Sequence, residues 1–285
     1  MLNILVGMLR FKSENKGSVI TVKVYISADI EGITGTTNWR ETELNAPEYV
    51  PFAKQMTKEV EAAIEGAIAG GATEILLKDA HDSARNIDIS NLPVNVKVIR
   101  GWTYDPMCMV AGLDESFDRA IYIGYHSKGG SERNPLAHTL CTYADVKING
   151  EYVSEFLINT YAASLHNVPV AFVSGDQGLI EEINVLNEQI VTLAIKEGRG
   201  GATISLSPKL VIQETKRLVE EAMKVDRASL QIERPEKFVV EIIYKDHTKA
   251  YRNSFYPGAT FKPHNTVEFV TEDYYEVLRI LQFLT

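Results

Sequence analysis

The sequence predicts an α/β fold: a mostly parallel sheet flanked by helices, with a smaller α+β part toward the C-terminal end. Three observations carry this. Short apolar runs of strand character alternate with helical patterns along most of the chain. Several of these runs are continuously apolar, as strands buried on both faces are. One strand, helix, strand unit is complete within residues 22–78, which implies a right-handed parallel crossover.

Residues 22–27 form the first run and lead into Asp29-Ile30-Glu31-Gly32. From Pro47 to Ala69 the pattern turns helical. Phe52, Met56, Val60, Ala63, Ile64, Ala67 and Ile68 share one stripe, while Lys54, Lys58, Glu61 and Glu65 fall off it. Gly70-Gly71 ends that helix, and residues 73–78 form a strand running into Asp79-Ala80-His81. Residues 94–99 make a further short strand. Residues 118–124 make a buried one, followed by Tyr125-His126. Asn149-Gly150 is a tight-turn signal between strands expected over 139–148 and from Tyr152 onward.

A helix follows over 155–166, then a buried strand over 169–174 ending at Gly175-Asp176. Ser207-Pro208 reads as an N-cap with proline at the first helical position, opening a helix to about Lys224. Residues 238–244 and 266–270 are strands of the smaller part, and 276–284 is the last helix. The expected division is an extension over 1–20, a metal-binding catalytic domain over 21–205 and a smaller domain over 206–285.

The chain has 285 residues and a net charge of -9. An acidic balance disfavours phosphate-backbone binding, so no nucleic-acid partner is expected. The two cysteines, Cys108 and Cys141, are too few for a disulfide framework and point to reduced thiols in a cytoplasmic setting. The apolar run over residues 1–9 lacks a basic flank and is too short to span a bilayer. No later stretch is long enough, so no membrane partner is expected.

In an open parallel sheet, ligands bind outside the carboxyl ends of the strands. Asp29, Glu31, His81 and His126 all stand at such strand exits. Two carboxylates held close repel each other, which a divalent cation relieves. Carboxylate with imidazole suits zinc and its first-row neighbours. Each residue alone reads more simply as a turn, cap or surface group; their joint placement carries the metal reading. Asp79 either supports His81 or caps the next turn.

His138 follows the Gly-rich loop 127–135, a setting suited to acid–base work near neutral pH. Glu155 by itself reads as a helix N-terminal acid. Cys141 near His138 reads as a small buried thiol rather than a nucleophile. The sequence has no phosphate-cradling loop, dinucleotide fingerprint or His-Glu-x-x-His helix.

Taken together in order and spacing, these residues resemble the zinc D-aminopeptidase family of metallopeptidases. The opening motif is Ser27-Ala28-Asp29-Ile30-Glu31-Gly32. Asp79-Ala80-His81 follows, with alanine where the family has serine, then Gly124-Tyr125-His126. Ala137-His138-Thr139 keeps only the histidine of the next motif. Val153-Ser154-Glu155 with Asn159-Thr160-Tyr161 completes the set, and Gly175-Asp176, Leu206-Ser207-Pro208 and Pro257-Gly258 are further echoes. The likeness covers Val22 to the C-terminal end.

The resemblance implies two zinc ions per subunit. Asp29 would bridge them, with Glu31 and His126 completing one ion and His81 and Glu155 the other, and His138 as the catalytic residue. It further implies removal of N-terminal D-residues from short peptides by metal-activated water, in a ring-shaped homo-oligomer. The alternative is another metal-dependent hydrolase, an amidase or phosphoesterase. Lys128 and Arg133, on the loop before His138, would be the cations nearest a phosphate.

Overall fold

The computed structural model describes residues 21–285. The expected extension over residues 1–20 lies outside the described residues. In chain order the elements are β1 (Lys23–Ala28), α1 (Tyr49–Ala69), β2 (Glu74–Asp79), β3 (Val96–Ile99), β4 (Arg119–Tyr125), β5 (Ala144–Ile148) and β6 (Glu151–Tyr152). They continue with α2 (Glu155–Ser164), β7 (Val170–Asp176), α3 (Gln177–Leu186), β8 (Val191–Arg199), β9 (Ala202–Ser205) and α4 (Pro208–Ala222). The chain closes with β10 (Phe238–Tyr244), α5 (His247–Asn253), β11 (Ala259–Lys262), β12 (Thr266–Thr271) and α6 (Tyr274–Leu284).

Seven strands form the larger sheet in the order β3-β2-β1-β4-β7-β8-β9. All its pairings are parallel except the last, β8 with β9. From β1 the chain builds outward to β2 and β3, then returns to place β4 on the other side of β1. The strand order therefore reverses between β1 and β4, and a crevice opens there at the carboxyl ends. These two strands are almost wholly buried, which explains their continuous apolar runs. The helix expected over 47–69 is α1, and its apolar stripe supplies Met56, Val60, Ala63, Ile64 and Ala67 to the core. The cap expected at Ser207 is present, its Oγ accepting from Leu210 N–H.

Five antiparallel strands form the second sheet in the order β11-β12-β10-β5-β6. It draws β5 and β6 from the middle of the chain and the rest from the last fifth. α4 meanwhile packs on α1 beside the larger sheet, close enough that Gly66 leaves no room for a Cβ against the Lys216 carbonyl. The two sheets are therefore not consecutive stretches of sequence. The strand expected from residue 139 begins only at Ala144. Residues before it turn tightly instead, with Leu140 at φ +62°. Among the described residues no helix is long and apolar enough to cross a membrane.

Candidate metal centre

Every expected ligand stands where a strand ends or a helix begins at the crevice. Parallel register sets Ala28 beside Asp79 on β2 and beside Ile123 on β4. Asp29 then donates its N–H to Ile123 O at 2.8 Å, so the chain leaves β1 pressed against β4. Gly32 extends that contact by donating to Gly124 O at 2.8 Å, and a Cβ there would collide with the Tyr125 carbonyl. Only glycine fits so close an approach. His81 follows β2 closely, His126 follows β4 directly, and Glu155 opens α2 behind the N-cap Ser154.

The three imidazoles are oriented by the same device. His81 Nε2 lies 3.0 Å from Thr42 O, His126 Nδ1 2.9 Å from Ser127 O, and His138 Nδ1 3.0 Å from Leu136 O. A carbonyl oxygen only accepts, so each ring donates from that nitrogen and turns its other nitrogen toward the carboxylates. His81 Nδ1 is 3.1 Å from Asp29 Oδ1 and 3.0 Å from Glu31 Oε2. His126 Nε2 is 3.5 Å from Asp29 Oδ2 and 3.4 Å from Glu155 Oε2. His138 Nε2 is 3.7 Å from Glu155 Oε1, and its ring stacks on His126 with centroids 4.4 Å apart.

Two triads result: Asp29, Glu31 and His81, and His126, His138 and Glu155. Within each, the ligand atoms lie inside 4.8 Å of one another. Asp29 turns one oxygen toward each triad. Glu31 lies beside His81, and Glu155 beside His126.

Charge in this cluster is out of balance. Burial and the neighbouring Glu31 push Asp29 up to about 8. Burial opposes ionisation of Glu31 and Glu155, yet the adjacent imidazoles outweigh it and hold both below the usual range. Burial likewise opposes protonation of His81 and His126. The surrounding carboxylates overcome it, raising His81 well above its ordinary value and His126 to about 10. Burial and the neighbouring His126 keep His138 lowered. The carboxylates thus demand positive charge at their centre. Asp29 Oδ2, Glu31 Oε2 and His126 Nε2 are also buried without a hydrogen-bond partner among the described residues. Such orphaned atoms are costly unless a cation fills the gap. Nitrogen and carboxylate donors with fixed tautomers fit zinc.

Behind the centre lies a second polar layer that sequence reading did not bring out. Lys196, buried on β8, donates to the carbonyls of Glu31 and Thr36. Asn134 Nδ2 donates to Glu31 O at 3.3 Å and to Asp176 Oδ2 at 2.9 Å, and Asp176 also accepts from Ser127 N–H at 2.8 Å. The Glu31 turn, the His126 exit and the loop to His138 are tied together there. A lysine inside a half-buried strand is the signal that sequence offered. Asp79 takes the capping role of its two alternatives. It accepts from Asn86 Nδ2 at 2.8 Å and Ile87 N–H at 2.9 Å, away from the His81 ring.

A cavity of about 520 Å³ opens over both triads. Trp39, Trp102, Tyr104, Met109 and Leu140 give it apolar walls, and among the described residues no lysine or arginine lines it. Lys128 and Arg133 pair instead with Glu182 and Glu181, each at 3.3 Å. Cys108 and Cys141 line the cavity as free thiols. Burial lifts Cys108 to about 11 and raises Cys141, which suits neither to nucleophilic attack.

Fold and donor set together are those of an α/β protein with a candidate metal centre at the strand exits. The chain belongs to the D-aminopeptidase family, whose model matches residues 22–283. It is 28% identical over 271 residues to a D-aminopeptidase of Bacillus subtilis (strain 168), covering 93% of this chain and 97% of that protein. It also superposes on the Zn-dependent D-aminopeptidase DppA from Bacillus subtilis, described as a self-compartmentalizing protease. The TM-score is 0.86 at 26% identity, over 92% of this chain and 96% of the other.

Proposed function

We propose that this enzyme is a dinuclear zinc aminopeptidase that removes N-terminal D-amino acids from short peptides. One observation carries the reading: the triads Asp29, Glu31, His81 and His126, His138, Glu155 adjoin, with the orphaned Asp29 Oδ2 of one 3.5 Å from the orphaned His126 Nε2 of the other. Asp29 would contact both ions, and Glu31, His81, His126 and Glu155 would complete the two sites. Bound zinc would supply Lewis acidity and a water of lowered pKa.

The protein's own groups do the rest. His138 donates through Nδ1 to Leu136 and keeps Nε2 bare, and its lowered pKa leaves it neutral near pH 7. It is therefore set to take a proton at Nε2 and to return it to the leaving amine. Leu140 N–H donates to Glu155 Oε1 at 2.7 Å and fixes that carboxylate beside His138. A cavity lined by Asp29, Glu31, Glu43, Asp82 and Glu155, with no lysine or arginine among the described residues, favours a free α-ammonium over an anionic group, which weighs against a phosphoester.

The self-compartmentalizing relative supports a ring-shaped homo-oligomer here, whose interior would exclude folded chains. The unpaired thiols suit the cytoplasm. Zinc-loaded protein assayed on D-Ala and L-Ala p-nitroanilides beside p-nitrophenyl phosphate tests the reading. Preferential release from the D-anilide is expected, and turnover of the phosphate alone would refute it. Light scattering should give a mass well above the 31.8 kDa of one chain.

A further inference from the structure

One polar chain beside the centre has a fixed direction, and it ends in the cavity. Ser27 Oγ donates its single hydrogen to Met109 O at 2.8 Å. Ser27 Oγ also lies 2.8 Å from Tyr125 Oη, and with its own hydrogen spent it must accept there. Tyr125 thus donates to Ser27, and its oxygen is left to accept. Asn159 Nδ2 supplies that bond at 3.3 Å and also contacts Met109 Sδ at 3.2 Å. Both hydrogens of the Asn159 amide are therefore committed, and its orientation follows from a carbonyl three groups away. Stacking of Tyr125 on Tyr122, with centroids 4.7 Å apart, keeps the phenol in place.

Asn159 is 2% exposed, yet it lines the cavity. Among the described residues no donor reaches its Oδ1. It stands one helical turn beyond Glu155, on the same face of α2. With both amide hydrogens committed, Oδ1 is the atom of this cavity-lining side chain left free to accept from a ligand. The inference rests on the aminopeptidase reading: we infer that Asn159 is a substrate-binding residue whose Oδ1 accepts a hydrogen bond from an N–H of the bound peptide. Tyr125 and Ser27 are positioning residues that keep the oxygen, not the NH₂, toward the substrate. A neutral acceptor suits this place, because a further carboxylate beside Asp29, Glu31 and Glu155 would add repulsion.

The test uses zinc-loaded full-length protein with D-alanyl-glycine and D-alanyl-glycolate. The ester differs only in having oxygen where the peptide has N–H. Asn159→Leu should keep its zinc and lose kcat/KM. A loss of about 3- to 10-fold confined to the amide would assign the bond to the scissile N–H. A loss of about 10- to 100-fold on both substrates would assign it to the α-ammonium, since hydrogen bonds to charged groups are stronger. Both outcomes support the inference. Tyr125→Phe leaves Asn159 in place but frees its amide to turn, so kcat/KM should fall in the same pattern at unchanged zinc. That variant decides the matter if Asn159→Leu does not fold. Values within about twofold of wild type on both substrates would overturn the inference, as would zinc lost in step with activity in both variants. If wild type cleaves D-Ala p-nitroanilide but Asn159→Leu is unaffected, this inference alone fails. If wild type cleaves no D-alanyl substrate, the peptidase reading fails and takes it along.

Discussion

The two triads around Asp29 are built differently. Glu31 and His81 come from the exits of β1 and β2, two neighbouring parallel strands in register, and His81 is pinned by Thr42 O. His126, Glu155 and His138 come from a strand exit, a helix start and a loop. His138 keeps 15% of its side chain exposed, against 8% for His81. The first triad is framework. The second contains the one imidazole of the two triads whose pKa is lowered and whose side chain is the more exposed, which is why the proposed proton transfer is placed on that side.

The most severe way to break this comparison is to remove what both halves share. Asp29→Ala should abolish zinc binding and all measurable turnover. The bridging charge goes, and breaking a buried charged set costs about 3–5 kcal/mol. Two full equivalents of zinc in the variant by elemental analysis would contradict the shared-ligand assignment. Next, His138→Ala should separate chemistry from framework. Zinc should stay, while kcat falls about 10²–10⁴-fold, the range of a positioned acid–base group. Zinc loss alongside activity would make His138 a ligand of the second triad, and a change under about threefold would remove it from the mechanism.

A smaller effect is expected behind the first triad. Lys196→Met removes the ammonium that anchors the Glu31 and Thr36 carbonyls. Supporting groups of this kind are worth about 10–100-fold in metal affinity. Competition with a chelator should show that weakening while kcat at saturating zinc changes little; an unchanged affinity would make Lys196 a packing residue only.

The mildest test is metal removal with pH. In metal-free protein the folded pKa values of His81, His126 and Asp29 are raised above their unfolded ones, His126 to about 10 and Asp29 to about 8. For His81 and His126 this stabilisation is complete below about pH 6.5, the unfolded value, and is lost as pH rises through their folded values. Asp29 acts in the same direction, declining from about pH 4 to about pH 8. The metal-free melting midpoint should therefore fall by about 5 °C or more between pH 6.5 and 10. The zinc-loaded midpoint should move less, because metal replaces those protons. Parallel curves with and without zinc would count against the shared cation site.

How much of this could be read in advance depended on locality. Asp29, His81 and His126 were legible because apolar runs and their exits are local signals, and the parallel sheet then brings exits together. Glu155 was legible only through the family pattern. Its sequence setting, an acid behind Ser154 at a helix start, is that of an ordinary N-terminal acid. What fixes its carboxylate in the cluster is the turn at Leu140, whose positive φ no periodicity reveals. The pairing of β5 with β10 joins residues near 145 and 243, a non-local antiparallel match with no local signature. In α3, β8 and β9 glycines fall inside the elements, at Gly178 and Gly198, as well as at the Gly200-Gly201 turn, so punctuation does not mark their boundaries.

That β5–β10 pairing also sets an order of events during synthesis. β5 and β6 lead directly into the helix that carries Glu155, and this helix packs on α6, with Tyr274 Oη donating to Ile158 O at 2.9 Å. β5 has no partner in its sheet except the two-residue β6 until residues 238–244 exist. Domains assemble N-terminal end first as the chain emerges. The first triad can thus form early on the ribosome, while the carboxylate that completes the second lacks its support until the last strands and helix arrive. A nascent chain would carry half a centre until residues 238–284 had emerged, and the full donor set would exist only from that point on.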